Sequence, residues 1–454
     1  MYDKIFGYKF PFSKNDIIYC PEYSMGAMEN PGCITYTERD LFAFEPTTAQ
    51  ETDRCSTILH ELAHMWFGDL VTMDWWDDLW LNESFADFVC YLCMHLIIPE
   101  LTFPLDDAWL TMHFRKSFGY DADESENTTH PIYAEVPDIH TTQSIFDGIT
   151  YSKGASTLKI LYSLIGLDNF SKAMASYFHK HQWKNTKLVD LLDELEAYMP
   201  SNAEGCYNLR RFRKDWIEEA GHNVLSSHWD PSSHSKEAKL VIKQTALLEK
   251  YSTLRFHKIR VGFYAEGGSL LYIKDVIIEP HAETTVTYDA SSPVAGIVLN
   301  YDDLDFVKIR LDNQTIDWLK RNYENIESDL TKFLVIRALY DQVKYADSIT
   351  NYEFLDLACE IISKEKKAFI IELVSSFSSD ILFTYSSKRL FKVYSPKLFA
   401  VSIQALKKST EKHFSSQMLD MIIHYPDTEH DFEQLSKWFK NQDEGLKHVE
   451  SSIN

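Results

Sequence analysis

Two histidines and a glutamate lie within the five residues "HELAH", at positions His60, Glu61 and His64. Residues four apart share one face of a helix, so both imidazoles can reach one metal ion. Glu61 lies one step further round the helix, where a general base could take a proton from an attacking water. Glu83, in "WLNES", is a candidate third ligand. Two histidines, one carboxylate and one open position form a common type of catalytic zinc site.

The same residues also fit a simpler interpretation, in which His60, Ala63 and Phe67 form one face of an ordinary amphipathic helix. Two observations favour the metal site, the first being that Glu83 supplies a third candidate ligand at a workable distance along the chain. The flanking stretches "TILHELAHMWFGDL" and "WLNESFA" are strongly apolar. Polar ligands within them would therefore be buried, which is costly unless they have a partner.

Two further motifs leave alternatives open. "YSMGAMENPGCITY" places the small residues Gly26 and Ala27 just before Glu29. Glu29 could bind the cationic amino terminus of a substrate, or it could be a solvated charge at a strand edge. In "FDGITYSKGASTL", Tyr151 could donate a hydrogen bond to a developing oxyanion. A core tyrosine with a satisfied hydroxyl is the simpler interpretation of Tyr151.

The composition limits the class of protein. A chain of 454 residues predicts two or three domains. Its net charge of −23 argues against nucleic acid as a partner. Seven cysteines, Cys206 among them, do not predict a disulfide framework, and the CxxC of Cys90 and Cys93 reads as part of a buried helix. We find neither a signal peptide nor an apolar run of about 18 residues, so we expect a cytoplasmic protein without a membrane span. The oligomeric state stays open.

The periodicity along the chain predicts an α+β multidomain protein. Residues 1–235 mix strands such as "NDIIYC" and "GCITYT" with helices such as "LVDLLDELEAY". The polar stretch "SSHWDPSSHSKEAK" reads as a linker. Residues 236–313 alternate with period two and predict a small β-sandwich. Residues 314–454 predict an all-α domain, with Thr350 and Glu353 as a capping box.

Four motifs then occur in order, namely GAMEN at 26–30, HELAH at 60–64, WLNES at 80–84 and ITYSKGAS at 149–156. Together they resemble the zinc aminopeptidases of the aminopeptidase N family, the gluzincin aminopeptidases. The motif sequences are most similar to those of the bacterial-type branch, and the resemblance covers nearly the whole chain. It implies that residues 1–235 form a thermolysin-like zinc peptidase lobe.

The resemblance also implies a role for each catalytic residue. One Zn²⁺ would be bound by His60, His64 and Glu83. Glu61 would activate the attacking water, and Tyr151 would stabilise the oxyanion. The expected activity is removal of the first residue from peptides with a free amino terminus, with broad specificity.

The GAMEN motif would supply the substrate-binding residues. Glu29 would bind the α-ammonium group, and the backbone around Gly26 and Ala27 would pair with the peptide. Met28 would line the first side-chain pocket. The resemblance also implies a substrate-binding role for Asn30.

Members of this family carry a large β domain before the catalytic lobe. Here the GAMEN motif lies close to Met1, so we expect that domain to be absent and the helical region to be incomplete. One alternative is therefore a weak or inactive zinc-binding protein that acts as a peptide binder or scaffold. Another alternative is an epoxide hydrolase with aminopeptidase activity. Ala27 and the other motif residues favour an aminopeptidase without that second activity.

Overall fold

The computed structural model describes residues 1–43, 46–101, 105–200, 209–408, 412–426 and 429–440. The fold mixes small sheets with many helices. The strands are β1 (Asp16–Cys20), β2 (Ala27–Met28), β3 (Cys33–Thr37), β4 (Val71–Met73), β5 (Lys184–Thr186), β6 (Asn223–Trp229), β7 (Ala238–Ala246), β8 (His257–Tyr264), β9 (Leu270–Ile278), β10 (Glu283–Tyr288), β11 (Gly296–Leu299) and β12 (Lys308–Arg310).

The helices account for most of the remaining chain. The α-helices are α1 (Tyr2–Ile5), α2 (Thr48–His64), α3 (Leu79–Ile97), α4 (Ala108–Ala122), α5 (Ile139–Ser144), α6 (Gly154–Ile165), α7 (Leu167–His181), α8 (Leu188–Ala197), α9 (Leu209–Phe212), α10 (Asn313–Asn322), α11 (Asp329–Lys344), α12 (Asn351–Lys364), α13 (Ala368–Phe383), α14 (Lys388–Lys408), α15 (Lys412–His424) and α16 (Glu429–Phe439). Two π-helices are Ile149–Lys153 and Arg213–Ile217.

The first region is built round α2 and α3, which pack against each other. The apolar residues that flank both motifs are buried in one hydrophobic cluster. Phe67, just after α2, stacks on Phe85 of α3 with ring centroids 4.1 Å apart, and it meets Phe178 of α7 at 4.8 Å. Aromatic packing of this kind contributes beyond simple area burial, so the two motif helices are held in a fixed relation.

A three-stranded sheet with the order β1-β3-β2 lies beside these helices. The strand β1 runs parallel to β3, with Asp16 opposite Cys33, and β2 runs antiparallel to β3. The predicted strands "NDIIYC" and "GCITYT" are confirmed as β1 and β3. Within the described residues β2 pairs on one side only, so the other edge of Ala27–Met28 is free.

The β-rich region contains two sheets, with the orders β10-β7-β6-β12 and β11-β8-β9. Inward-facing residues of both sheets, such as Leu240, Ile242, Val261 and Phe263, are fully buried and belong to one hydrophobic cluster. The alternating pattern of the sequence therefore does mark strands with one buried face.

The prediction of a linker at "SSHWDPSSHSKEAK" is wrong at both ends, because its last two residues, 238–239, already belong to β7. Residues 226–229 belong to β6, which pairs with β7 from Asn223 opposite Ala246 to Trp229 opposite Leu240. The polar composition of residues 226–229 did not indicate a strand. Only Trp229 among these four residues is buried, and the others are partly or fully exposed. The predicted boundary at 235 and 236 thus falls after the first strand of the sheet.

The helical region follows β12 and shares its core with the sheets. Trp318 of α10 and Phe333 of α11 are fully buried in the same hydrophobic cluster as both sheets, so the predicted boundary at 313 and 314 lies inside a continuous core. The predicted capping box of Thr350 and Glu353 is confirmed at the start of α12. The last predicted helical residues, 441–454, lie outside the described part of the chain, as does Cys206.

Charged side chains tie α4 to the helical region. Glu124, just after α4, pairs with Lys308 of β12, with Lys344 at 2.5 Å and with Arg337 of α11 at 3.6 Å. Arg337 also reaches Asp121 at 2.9 Å. The carboxylate of Glu124 is almost fully buried, so these contacts are far less screened than surface ion pairs.

One stretch of the described residues, Trp76–Glu100, is long and apolar enough to cross a membrane by composition. Its most apolar window is 67% buried inside the fold. The stretch contains α3, where Cys90 and Cys93 are buried, as predicted. The same test is passed by core helices of water-soluble proteins, and α3 is buried among the other elements of this region.

Candidate active site

Helix α2 presents its last turns to the site. It begins with a capping box, in which the Thr47 hydroxyl accepts from the Gln50 backbone N–H and the Gln50 side chain accepts from Thr47 N. Both contacts satisfy backbone donors that a helix start leaves unpaired. Within the helix, His60 and His64 share one face, as the spacing predicts. Glu61 is buried beside them.

Three donor atoms converge between α2 and α3. His60 Nε2 lies 3.0 Å from His64 Nε2 and 3.3 Å from Glu83 Oε2. His64 Nε2 lies 3.6 Å from Glu83 Oε2. Glu83 and His64 are buried and His60 is nearly so. The three atoms form a small triangle that a single ion could fill.

Contacts on the far side of each imidazole fix its orientation. His64 Nδ1 lies 3.0 Å from Phe67 O, which can only accept, so Nδ1 carries the proton. His60 Nδ1 lies 3.6 Å from the Asp87 carboxylate. With Nδ1 protonated on both rings, the two Nε2 atoms present lone pairs towards each other. Such outer contacts are typical of metal-binding histidines, because they hold the tautomer that presents a free nitrogen.

The donor set fits zinc. Ligand atoms at about 2.0–2.1 Å from a tetrahedral zinc lie about 3.3–3.4 Å from one another. The observed separations of 3.0, 3.3 and 3.6 Å bracket this value. Two facing lone pairs repel unless a cation or proton lies between them. Two neutral imidazoles and one carboxylate are also the ligand types that zinc prefers at catalytic sites.

The local electrostatics favour a cation in this triangle. Burial alone lowers the pKa of His64, but Glu83 and Glu29 outweigh it and raise that pKa to about 9. The pKa of His60 is likewise raised, because Asp87 and Glu83 outweigh its burial. Burial disfavours the charged form of Glu83, but both histidines overcome this effect and lower its pKa. Protons and a metal ion therefore compete for the same two nitrogens.

Glu61 faces the cavity with one oxygen free. Among the described residues its Oε2 atom is buried without a hydrogen-bond partner. Burial raises its pKa to about 7, against the opposing effect of His60 and His64. A carboxylate with a pKa near neutrality can both accept and return a proton at physiological pH.

Glu29 lies just after the edge strand β2, and its carboxylate is within 4.8 Å of ligand atoms of His64 and Glu61. Its Oε1 atom accepts a hydrogen bond from Asn82 Nδ2 at 3.0 Å and lies 4.0 Å from His64 Nδ1. Asn82 Oδ1 packs against Gly68, whose φ of +124° and lack of a side chain leave room for it. The loop after α2 and the first turn of α3 thus together position the Glu29 carboxylate.

Tyr151 reaches the cavity from the π-helix Ile149–Lys153. Its ring stacks on the His60 ring with centroids 6.1 Å apart, and the Glu83 carboxylate lies near its hydroxyl. Burial and the negative charge of Glu83 raise its pKa well above the usual value. The phenol therefore keeps its proton and remains a hydrogen-bond donor.

All of the residues predicted for the site line one cavity of about 660 Å³. They are Gly26, Ala27, Met28, Glu29, Asn30, His60, Glu61, His64, Glu83 and Tyr151. The remaining walls include apolar side chains such as Met25, Trp76 and Phe146. A cavity of this size, with a few convergent polar groups, is typical of a small-ligand or peptide site.

Sequence reasoning missed several lining residues. Asn82 stands inside the "WLNES" motif but was given no role. Asp87 is four residues after Glu83 and so lies on the same helix face, a spacing that could have identified it. Asp69 and Arg115 also line the cavity, and no local pattern singles them out. Burial raises the pKa of Asp69 to about 7.

Comparison with known proteins identifies the class to which this fold and site belong. Residues 1–216 match the Peptidase family M1 domain. Aminopeptidase N of Streptomyces lividans is 35% identical over 377 residues, which are 81% of this chain and 43% of that relative. Aminopeptidase M1 of Arabidopsis thaliana is 35% identical over 254 residues, 56% of this chain and 27% of the relative. Human endoplasmic reticulum aminopeptidase 1 is 35% identical over 230 residues, 50% and 23% respectively.

The chain belongs to peptidase family M1. The resemblance stated from the four motifs is thereby confirmed. The chain spans less than half the length of the curated relatives described above.

Proposed function

We propose that this protein is a zinc-dependent aminopeptidase that hydrolyses the first peptide bond of substrates with a free amino terminus. We assign the region built round α2 and α3 to a thermolysin-like lobe, followed by a β-sandwich that begins with β6 and by an α-helical domain. One observation carries the proposal. The triangle of His60, His64 and Glu83, the free carboxylate oxygen of Glu61 and the carboxylate of Glu29 all face one cavity.

His60, His64 and Glu83 would hold one zinc ion. When bound, zinc acts as a Lewis acid that makes a water molecule more acidic and polarises a carbonyl. The two imidazoles stay correctly oriented because Phe67 O and the Asp87 carboxylate face their outer nitrogens. These five groups form a rigid unit across α2 and α3.

Glu61 would act as the general base and then as the general acid. Its free Oε2 atom accepts a proton from the attacking water and later donates it to the leaving amine. A pKa of about 7 suits both steps, because neither transfer is then strongly uphill at neutral pH.

Tyr151 would stabilise the negative charge that develops on the carbonyl oxygen. The phenol keeps its proton because of its raised pKa, so it can donate a hydrogen bond to the developing oxyanion. A preorganised donor of this kind contributes about 10²–10³ in kcat.

Glu29 would make the enzyme an exopeptidase. Its carboxylate is mostly buried, and a substrate ammonium group would supply the missing counter-charge. A peptide with a blocked amino terminus leaves that carboxylate without a cation, at a cost of about 1–3 kcal/mol. The free edge of β2 could pair with the substrate backbone as an added strand.

Met28 lies beside this edge and is 40% exposed, so it would contact the first side chain of the substrate. Together with Met25 and Phe146 it forms a flexible apolar wall. Methionine adapts to side chains of different shape, which supports broad specificity.

The proposal is tested by hydrolysis of alanyl- and leucyl-arylamides with the purified chain, with Glu61→Gln as the matched variant. We expect turnover that Glu61→Gln lowers at least about 10²-fold while zinc content stays near one per chain. Equal turnover in both proteins would refute the role of Glu61. Bound zinc without any turnover would instead favour a zinc-binding peptide binder.

A further inference from the structure

The segment that carries Tyr151 has an unusual backbone. It is a single π-helical stretch, Ile149–Lys153, between Gly148 and Gly154. Such turns are rare and often occur at functional sites, because the widened turn changes the direction of a side chain. Gly148 lies against the backbone carbonyl of Phe118, where any Cβ atom would collide. The path of the segment is therefore tightly constrained.

One carboxylate organises the start of this segment. Asp147 Oδ1 accepts hydrogen bonds from Ile149 N at 2.9 Å and from Thr150 N at 3.1 Å. The backbone oxygen of Asp147 accepts from Tyr151 N at 3.1 Å. Three consecutive N–H groups, ending with that of Tyr151, therefore depend on Asp147.

A histidine holds this carboxylate in turn. His130 Nε2 lies 2.9 Å from Asp147 Oδ2, and His130 Nδ1 lies 2.6 Å from Pro131 O. Both ring nitrogens face acceptors, so both donate and the ring is a cation. The pair is only partly exposed, at 20% for His130 and 27% for Asp147. His130 belongs to "THPI" and Asp147 to "FDGITY", and neither residue is among the proposed catalytic residues.

The far end of the segment is fixed independently. Lys153 Nζ, which is fully buried, donates to Asp123 Oδ2 and to Gly221 O, each at 3.0 Å. The Ser84 hydroxyl, next to Glu83 on α3, donates to Thr150 O at 2.5 Å. The partly exposed His130–Asp147 contact is thus the anchor that can be removed without leaving a fully buried charge.

We propose that His130 and Asp147 are positioning residues that hold the Tyr151 hydroxyl in place for the reaction. The pair does not line the cavity among the described residues, so it acts only through the π-helical segment. This inference rests on the proposed function, in which Tyr151 stabilises the oxyanion. A displacement of about 1 Å at a catalytic group can lower a rate about 10²-fold.

The first test is a double-mutant cycle on arylamide hydrolysis by the full, zinc-loaded chain. Asp147→Ala should lower kcat about 10–100-fold, with KM within about twofold and zinc content unchanged. Asp147→Asn, which keeps an oxygen acceptor for the two N–H groups, should restore part of that loss. In a Tyr151→Phe background, Asp147→Ala should change kcat less than about twofold.

The matched control is Thr350→Ala, which removes a similar helix-start contact in α12. It should lower the melting temperature to a similar extent without changing kcat. An equal loss of kcat in the presence and absence of the Tyr151 hydroxyl would overturn the proposal, as would full activity of Asp147→Ala.

A second readout does not depend on turnover. With 3-fluorotyrosine at position 151, the ¹⁹F NMR spectrum should show one narrow resonance, which Asp147→Ala splits or broadens and His130→Ala broadens less. An unchanged resonance in Asp147→Ala would refute the positioning role even in a chain that hydrolyses nothing. If the chain shows no turnover but the resonance still changes in Asp147→Ala, the proposed function is refuted and the positioning role is not.

Discussion

Asn82 Nδ2 donates a hydrogen bond to Glu29 Oε1 across 3.0 Å, although the two residues are 53 positions apart in the sequence. The same amide lies 3.5 Å from Glu83 Oε1. One side chain therefore connects the carboxylate proposed to bind the substrate amine with the third ligand of the metal triangle. In the proposed function, this contact would set the spacing between the substrate amine and the scissile bond.

Asn82→Ala should weaken both catalysis and substrate binding. Hydrogen bonds to a charged group contribute about 1.5–3 kcal/mol, so kcat/KM for alanyl-arylamide should fall roughly 10–100-fold. Steady-state kinetics and zinc analysis of the purified variant measure this effect. Asn351→Ala, which removes an amide contact to Tyr385 O in the helical region, serves as the control and should leave kcat/KM unchanged.

Glu29→Gln should remove the preference for a free amino terminus. The variant keeps the shape of the side chain and its contact with Asn82 but loses the negative charge. We expect KM for free-amine substrates to rise about tenfold or more, while slow cleavage of N-acetylated analogues changes little. The ratio of the two rates, measured by chromatography of short peptides, tests this. A ratio equal to that of the unmodified chain would rule out Glu29 as the amine site.

Metal removal should destabilise the region around α2 and α3. A ligand at about 1,000 times its Kd stabilises the folded state by about 4 kcal/mol. A chelator should therefore lower the melting temperature, and added zinc should restore it. Glu83→Ala should abolish the response to zinc, whereas Glu61→Gln should retain it, because Glu61 is not a ligand. A zinc response in Glu83→Ala equal to that of the unmodified chain would contradict the ligand assignment.

The helical spacing in "HELAH" was enough to predict that His60 and His64 share a face, because the period of a helix is a local property. The approach of Asn82 to Glu29 was not predictable, since it depends on how β2 packs beside α3. The strand β6 was missed for a related reason. Its polar residues mask an inner strand whose pairing partners, β7 and β12, lie further along the chain.

The π-helix at Tyr151 illustrates the same limit. The sequence "FDGITYSKG" predicts a helix start, but the widened turn depends on contacts with Phe118, Ser84 and Gly221, which are distant from one another in the sequence. Local sequence propensity does not predict the π-helical turn, because tertiary contacts determine which helical form the backbone adopts there. The residues proposed for catalysis could thus be named from the sequence, whereas the contacts that position them could not.

The buried carboxylate of Glu124 should make stability depend on pH. Burial alone would raise its pKa, but Lys308 and Lys344 outweigh that effect and lower the pKa to about 2. A carboxyl group whose pKa is lower in the folded state stabilises the fold fully above its unfolded pKa of about 4.5. That stabilisation is lost as the pH falls towards 2. The shift corresponds to about 3 kcal/mol at neutral pH.

Urea denaturation of Glu124→Gln and the unmodified chain across pH 2–7 tests this expectation. At pH 7 the variant should be less stable by about 3 kcal/mol, because three buried or half-buried cations lose their shared partner. The difference should shrink as the pH falls below about 4.5, where the unmodified chain loses the same interaction. Glu266→Gln, which breaks an exposed contact with Arg321, should cost less than about 1 kcal/mol at any pH. A difference for Glu124→Gln that stays constant with pH would show that its charge is not the stabilising feature.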